Sequence, residues 1–386
     1  MDLTPWDRSA FSIPPEIHYL NCAYMAPLHR SVEEAGIRGI RRKRTPWTLG
    51  SRHFFSESDE ARGLFGRLVG GAAERVALLP SASYGISIAA RNAGLERGQS
   101  VVLTEGQFPG NVYPWRRAAS EAGASVVMVS PPEGPDRGRR WTEAILDAIR
   151  PETGAVSLGA VHWTDGTRFD LEAIGARARE VGAVLVVDGS QSVGAIPFDV
   201  GRVRPDALVV VGYKWLMGPY STALGWFGPR YDEGVPLEET WISREGSEDF
   251  RSLVDYRDVY QPGAVRYDVG ERSNFALLPM VVAALRLLLE WTPERIEAHT
   301  GELTGLLAEA VGELGFGVED PAWRGSHILG VRMPDDLDLA TVSERLQQQG
   351  IHASLRGSAL RISPHLYNTS EDVEALVALL REVREG

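Results

Sequence analysis

From about residue 70 onward, short apolar runs alternate with longer amphipathic stretches, and this alternation limits the possible folds more than any other feature. Runs at 75–79, 100–103, 125–129, 155–161, 183–187, 207–210 and 223–227 read as strands, and 84–94, 114–122, 141–149 and 171–181 carry helical patterns. Strands that are apolar on both faces and separated by helices build an α/β fold on a mainly parallel, seven-stranded sheet between helices. Functional groups are then expected at the carboxyl ends of the strands.

Past residue 275 the pattern changes to two long helices, 277–291 and 293–314, and then to a smaller α/β segment. That segment has strands near 327–332 and 359–363 and helices over 339–349 and 370–384. At 386 residues the chain exceeds one ordinary domain of about 100 to 200 residues. The expected division is a large domain over 14–275 and a small C-terminal α/β domain over 276–386, joined by about 1–13. Segment 231–267, rich in charged, aromatic, Gly and Pro residues with weak periodicity, is expected to be an active-site loop.

Composition excludes several classes. A net charge of -12 argues against a nucleic-acid or anionic-membrane binder, which needs a basic surface. The start MDLTPWDRSAF lacks a basic-then-apolar leader, and no run approaches the roughly 18 apolar residues of a membrane span, so a cytoplasmic location is expected. The single cysteine, Cys22, excludes an internal disulfide, and the eight histidines show no HExxH or close pair, so no metal site is expected. Neither GxxxxGK[ST] nor GxGxxG occurs, which counts against nucleotide binding.

Of the 40 basic residues only two are lysine. Lys43 sits in the run Arg41-Arg42-Lys43-Arg44, which reads as a solvated helix face. Lys214 follows the apolar run 207–211 inside Gly212-Tyr213-Lys214-Trp215-Leu216-Met217-Gly218-Pro219. Burial there favours the neutral amine, the form that condenses with an aldehyde, although a lysine at a strand end also snorkels to solvent. Earlier, the run Val184-Leu185-Val186-Val187 ends in Asp188, costly to desolvate unless it meets a cation or donor. An acid and an imine-forming lysine are what pyridoxal phosphate requires: the acid keeps the ring nitrogen protonated, and the lysine anchors the aldehyde and shuttles the α-proton. The segment Leu79-Pro80-Ser81-Ala82-Ser83-Tyr84-Gly85 supplies a helix start for a phosphate, or simply an N-cap.

Taken together, Tyr19-Leu20-Asn21, Ala82-Ser83, Val187-Asp188-Gly189-Ser190-Gln191, Gly212-Tyr213-Lys214, Leu360-Arg361-Ile362-Ser363 and Tyr367-Asn368-Thr369 give the chain its likeness to a known group. It resembles the class V aminotransferases and cysteine desulfurases among fold-type I pyridoxal-phosphate enzymes, from about Tyr19 to the last helix. The resemblance implies a Schiff base on Lys214, Asp188 on the pyridine nitrogen, Gln191 on the ring oxygen, and Ala82 and Ser83 at the phosphate. It further implies Phe108 stacked on the ring and Tyr213 touching the phosphate, both as in kynureninases, with Trp163 as a cofactor neighbour. By the same resemblance Arg361 binds the substrate α-carboxylate, Asn21 lies with it at the substrate, and Ser273 and Asn274 reach the neighbouring subunit's phosphate in a homodimer with shared sites.

A cysteine desulfurase carries its sulfur-accepting thiol on a carboxyl-terminal loop, where this sequence has none. The resemblance therefore implies an aminotransferase acting on a small amino acid or amine, with a kynureninase-like lyase or an isopenicillin-type epimerase as alternatives. Arg244 and Arg251 either meet an acidic substrate or face water.

Overall fold

The computed structural model describes residues 8–134, 136–334 and 336–385. Residues 1–7, part of the stretch expected to join the small domain, lie outside them. The strands are β1 (His18–Tyr19), β2 (Val76–Leu79), β3 (Ser100–Thr104), β4 (Ser125–Val129), β5 (Thr153–Gly159), β6 (Val184–Asp188), β7 (Ala207–Val211), β8 (Ala223–Phe227), β9 (Leu329–Arg332), β10 (Ile351–His352), β11 (Ser354–Arg356) and β12 (Ala359–Ile362). The helices are α1 (Arg30–Arg42), α2 (Ser56–Leu68), α3 (Ala82–Arg91), α4 (Tyr113–Ala122), α5 (Arg137–Ala148), α6 (Leu171–Val181), α7 (Val200–Val203), α8 (Leu277–Trp291), α9 (Pro293–Glu313), α10 (Leu339–Gln348) and α11 (Ser370–Glu385).

Seven strands form one sheet in the order β2-β8-β7-β6-β5-β3-β4. Only β8 runs against its neighbours, so the sheet is mainly parallel, as the apolar runs predict. Because successive side chains point to opposite faces, one strand feeds two cores. Leu185, Val187, Leu208 and Val210 pack with α2, α5, α6 and α8, whereas Val184, Val186, Ala207 and Val209 pack with α3 and α4. This double burial is why these runs carry no polar alternation.

The remaining strands make a three-stranded sheet, β11-β12-β9, and the pair β1-β10. Leu20, Leu303, Leu307, Leu360, Leu376 and Leu380 share the core beneath them, so the amino-terminal strand joins the carboxyl-terminal one. Helix α8 buries Leu278, Val281, Leu285 and Leu288 in the core of the large sheet and packs on α1 and α2. No described helix is long and apolar enough to cross a membrane.

Buried charge ties the loop after residue 267 to the large sheet. The fully buried Asp268 accepts from the Leu78 amide at 2.8 Å and from both Arg62 and Arg272.

Candidate active site

The carboxyl ends of β5, β6 and β7 open onto one cavity. Its lining includes Ala82, Gln107, Phe108, His162, Trp163, Asp188, Gln191, Tyr213 and Lys214. A larger cavity of about 710 Å³, beside Arg67, Asp170, Arg202 and Glu294, contains neither Lys214 nor Asp188. Volume therefore favours the second cavity and chemistry the first; chemistry decides, since only the first joins a buried amine to a carboxylate.

Lys214 reaches the cavity because the turn after β7 is held tightly. Gly212 and Gly218 are joined by an amide-to-carbonyl bond of 2.8 Å, and the Met217 amide donates to the Lys214 carbonyl at 2.9 Å. A Cβ on Gly212 would stand 2.1 Å from the Thr222 hydroxyl, so only glycine fits. Met217 takes a left-handed φ of 55°, a strain of order 1–3 kcal/mol. The Lys214 side chain is buried, with its ammonium 5.3 Å from the Phe108 centroid and 5.7 Å from that of Tyr213. Burial lowers its pKa to about 8; Asp188 opposes this, while Arg361 and Arg356 add to it. The snorkelling alternative is thereby excluded.

Asp188 ends β6, where its carboxylate accepts from the Ser190 amide at 3.0 Å. Gln191 is more constrained than expected. Its side-chain amide donates to the Ala23 carbonyl at 3.1 Å, its side-chain oxygen accepts from the Trp215 indole at 2.9 Å, and His327 donates to its backbone carbonyl at 2.6 Å. One amide hydrogen of Gln191 remains for a ligand.

Helix α3 presents its amino-terminus to the cavity through Ala82. Its cap is Ser81, whose hydroxyl accepts from the Tyr84 amide at 3.2 Å and lies 3.1 Å from the Ser83 hydroxyl. The amides of the first turn have no helical partner, which makes an anion site. Phe108 is 44% exposed and meets Trp163 edge to face at 5.5 Å, while the Trp163 indole donates to the Gly106 carbonyl at 2.7 Å. Phe108 is thus a wall of the cavity, not core packing.

Arg361, 1% exposed, donates through one terminal nitrogen to the Trp163 carbonyl at 2.8 Å. Its Nε and other terminal nitrogen have no partner among the described residues. Burial, then the charge of Arg356, lowers its pKa to about 10. Asn21 is buried and accepts from the Ser354 hydroxyl at 2.9 Å, linking the amino-terminal segment to the Arg361 hairpin.

Some expected residues stand apart. Ser273 donates to the Phe54 carbonyl, and Asn274 caps α8 by accepting from the Ala276 and Leu277 amides at 3.0 and 2.9 Å; neither lines this chain's own cavity, and the expectation for both concerns the phosphate of a neighbouring subunit. Arg244 stacks 4.0 Å over Tyr260 and pairs with Glu239, and Arg251 pairs with Asp249 in solvent. Both guanidiniums thus find acidic partners within their own loop. The loop at 231–267 lines a separate pocket and not the one holding Lys214. Gln107 and Arg356, by contrast, belong near the site and carried no signal of their own. Gln107 donates to the Ser157 carbonyl at 3.0 Å, a contact between the loop after β3 and strand β5 that no local pattern encodes.

Adjacent strand ends bearing an amine and a carboxylate, on a sheet of this order, define a fold-type I pyridoxal-phosphate enzyme. The model of the family "Aminotransferase class-V" matches residues 48–376, and the chain belongs to that family. Among curated relatives, isopenicillin N epimerase of Streptomyces clavuligerus is 25% identical, with 98% of each chain covered. A probable cysteine desulfurase of Methanothermobacter thermautotrophicus is 26% identical over 84% of this chain and 83% of its own. Solved structures similar to this one include the apo cysteine desulfurase of Thermococcus onnurineus NA1, with TM-score 0.84, 19% identity and coverage of 98% and 97%. The cystine C–S lyase C-DES with its product cysteine persulfide has TM-score 0.83, 18% identity and coverage of 96% and 98%.

Proposed function

We propose that this protein transfers the amino group of an α-amino acid, with Lys214 moving the α-proton and Arg361 holding the α-carboxylate. The observation that carries this reading is a buried lysine beside a strand-end aspartate, with an unpaired buried guanidinium behind the same wall. The cofactor is pyridoxal 5′-phosphate, which when bound supplies an aldehyde and an electron-withdrawing ring.

The chain's own residues suit that group. With a pKa of about 8, the Lys214 amine is roughly half neutral at pH 8, where an exposed lysine is almost wholly protonated. Asp188 would hold a proton on the ring nitrogen. The free amide hydrogen of Gln191 would meet the ring oxygen, and the Ala82 and Ser83 amides, with the Tyr213 hydroxyl, the phosphate. Phe108 and Trp163 would cover the ring. The unpaired Nε and terminal nitrogen of Arg361 offer the two-pronged donor pattern that matches a carboxylate.

Epimerisation is the second reading, favoured by two isopenicillin N epimerases that align with 98% and 99% of the chain. Desulfuration is disfavoured, although several relatives bear that name. Cys22 is fully buried and burial pushes its thiol up to about 12, so it is neither reachable nor ionised.

The test is a single turnover of holoenzyme with a panel of amino acids. Transamination yields one equivalent of 2-oxo acid. Loss of optical purity without oxo acid would replace it by epimerisation, and release of a side-chain fragment by lyase chemistry. We further propose a homodimer, because Ile40, Trp47, Val254 and Tyr256 stand more than half exposed on this acidic chain. Light scattering at the monomer mass would reject the dimer.

A further inference from the structure

The reading above uses one guanidinium, but the hairpin that carries it holds another. In the β11–β12 register Ser354 lies opposite Arg361 and Arg356 opposite Ala359. Side chains alternate across a strand, so Ser354, Arg356, Ala359 and Arg361 share one face. Arg356 and Arg361 are therefore diagonal neighbours, with Cβ atoms on the order of 7 Å apart.

Neither arginine is among the residues that line the cavity, but both contact Trp163, which is. The Arg356 guanidinium carbon lies 5.5 Å from the centroid of the Trp163 ring, while Arg361 donates to the carbonyl of that same tryptophan. They sit at different depths: Arg361 is buried and Arg356 only partly so. Arg356 donates one terminal nitrogen to the neighbouring Leu355 carbonyl at 2.8 Å, and its buried Nε has no partner.

Neither arginine meets a carboxylate among the described residues. This is not for want of acids, since the chain has 52 acidic residues and pairs Arg42, Arg62, Arg75, Arg137 and Arg272 with them. A buried and a half-buried guanidinium side by side repel each other, and their charge also reaches Lys214. Anionic groups on a ligand relieve that repulsion. Because the guanidiniums lie at two depths, two anions separated by a short carbon chain fit better than one.

We propose that the substrate is an amino acid with a second carboxylate at the end of its side chain, the α-carboxylate on Arg361 and the side-chain acid on Arg356. This rests on the amino-acid reading above and makes Arg356 the residue that sets side-chain specificity.

Two titrations test it. In the first, holoenzyme is titrated with glutamate and 2-aminoadipate and with their neutral counterparts glutamine and norvaline, following the cofactor absorbance. The acidic members are expected to bind about tenfold tighter or better, the scale of a charge-assisted hydrogen bond. Arg356→Gln should erase that difference while keeping the absorbance band, and Arg361→Gln should weaken every amino acid alike. In the second, succinate, glutarate and adipate are titrated calorimetrically against cofactor-free protein, with glutaramate as the control. Glutarate binding that is lost in Arg356→Gln while glutaramate binding is unchanged would support the site even if no cofactor band formed, a result that would sink only the cofactor reading. Equal affinity for acidic and neutral partners in the native protein, or equal weakening of both series by Arg356→Gln, would overturn the proposal.

Discussion

Lys214 shows how much one side chain can announce. A chain that uses arginine for nearly all its positive charge and keeps a lysine at a strand end points to chemistry that needs a neutral amine. Burial then has a measurable consequence. In cofactor-free protein the folded amine titrates near 8, below its value in the unfolded chain, so the unfolded chain binds more protons between about pH 8 and 10.5. Stability contributed by this group therefore rises with pH across that window, by about 3 kcal/mol. Lys214→Met should flatten this part of the curve in urea denaturation; an unchanged slope would mean the amine is not desolvated. Arg361 was legible only through resemblance, for one arginine among many carries no local mark. Arg356 was not legible at all, because nothing in its neighbourhood says that it lacks a carboxylate partner.

At the level of elements, the sequence placed all seven strands of the large sheet, since burial on both faces writes a continuous apolar run. It misjudged β5, expected over 155–161. The strand runs Thr153–Gly159 and closes on a glycine whose backbone lies too near the Val161 and Asp188 carbonyls to leave easy room for a Cβ, which would stand 3.0 and 3.2 Å from them. Helix α1 was read only at its Lys43 end, as a solvated face, and α2 went unread; α1 is rich in arginine and buries only Val32, Ala35, Gly36 and Gly39. Helix α8 packs with the large-sheet core, so we propose that the two units divide near the α8–α9 junction. Two substitutions probe elements directly. Ser81→Ala removes the α3 cap and should cost about 1 kcal/mol of stability. It should also weaken cofactor retention in dialysis, because the amides of the first turn lose their fixed direction. Asp268→Asn strips the buried Arg62 and Arg272 of their shared counter-ion and should cost about 3–5 kcal/mol, read as a lowered urea midpoint. A loss below about 1 kcal/mol would mean that water replaces the carboxylate there.

Across the whole molecule, the segments beside β9 and β12 meet the turn after β7 and bury a layer of aromatic and imidazole rings. His327 stands edge-on to Trp215 at 4.6 Å, and His365 stacks on Tyr367 at 5.7 Å. Burial lowers the His327 pKa to about 4 and that of His365 to about 3. Below pH 6.5 the unfolded chain takes up protons these rings refuse, so stability falls as pH drops from there toward 4. His365→Phe should lose about 3 kcal/mol less across that interval than the native chain, measured as the difference in unfolding free energy at pH 6.5 and 4. The sequence by itself determined the α/β layering, the strand ends, and the lysine and aspartate on them, because burial periodicity and residue scarcity are properties of the chain read in order. Only the tertiary structure decided which arginines are left without counter-ions, which cavity holds the amine and where β1 pairs. Those outcomes depend on contacts between residues hundreds of positions apart, and no local pattern encodes such a distance.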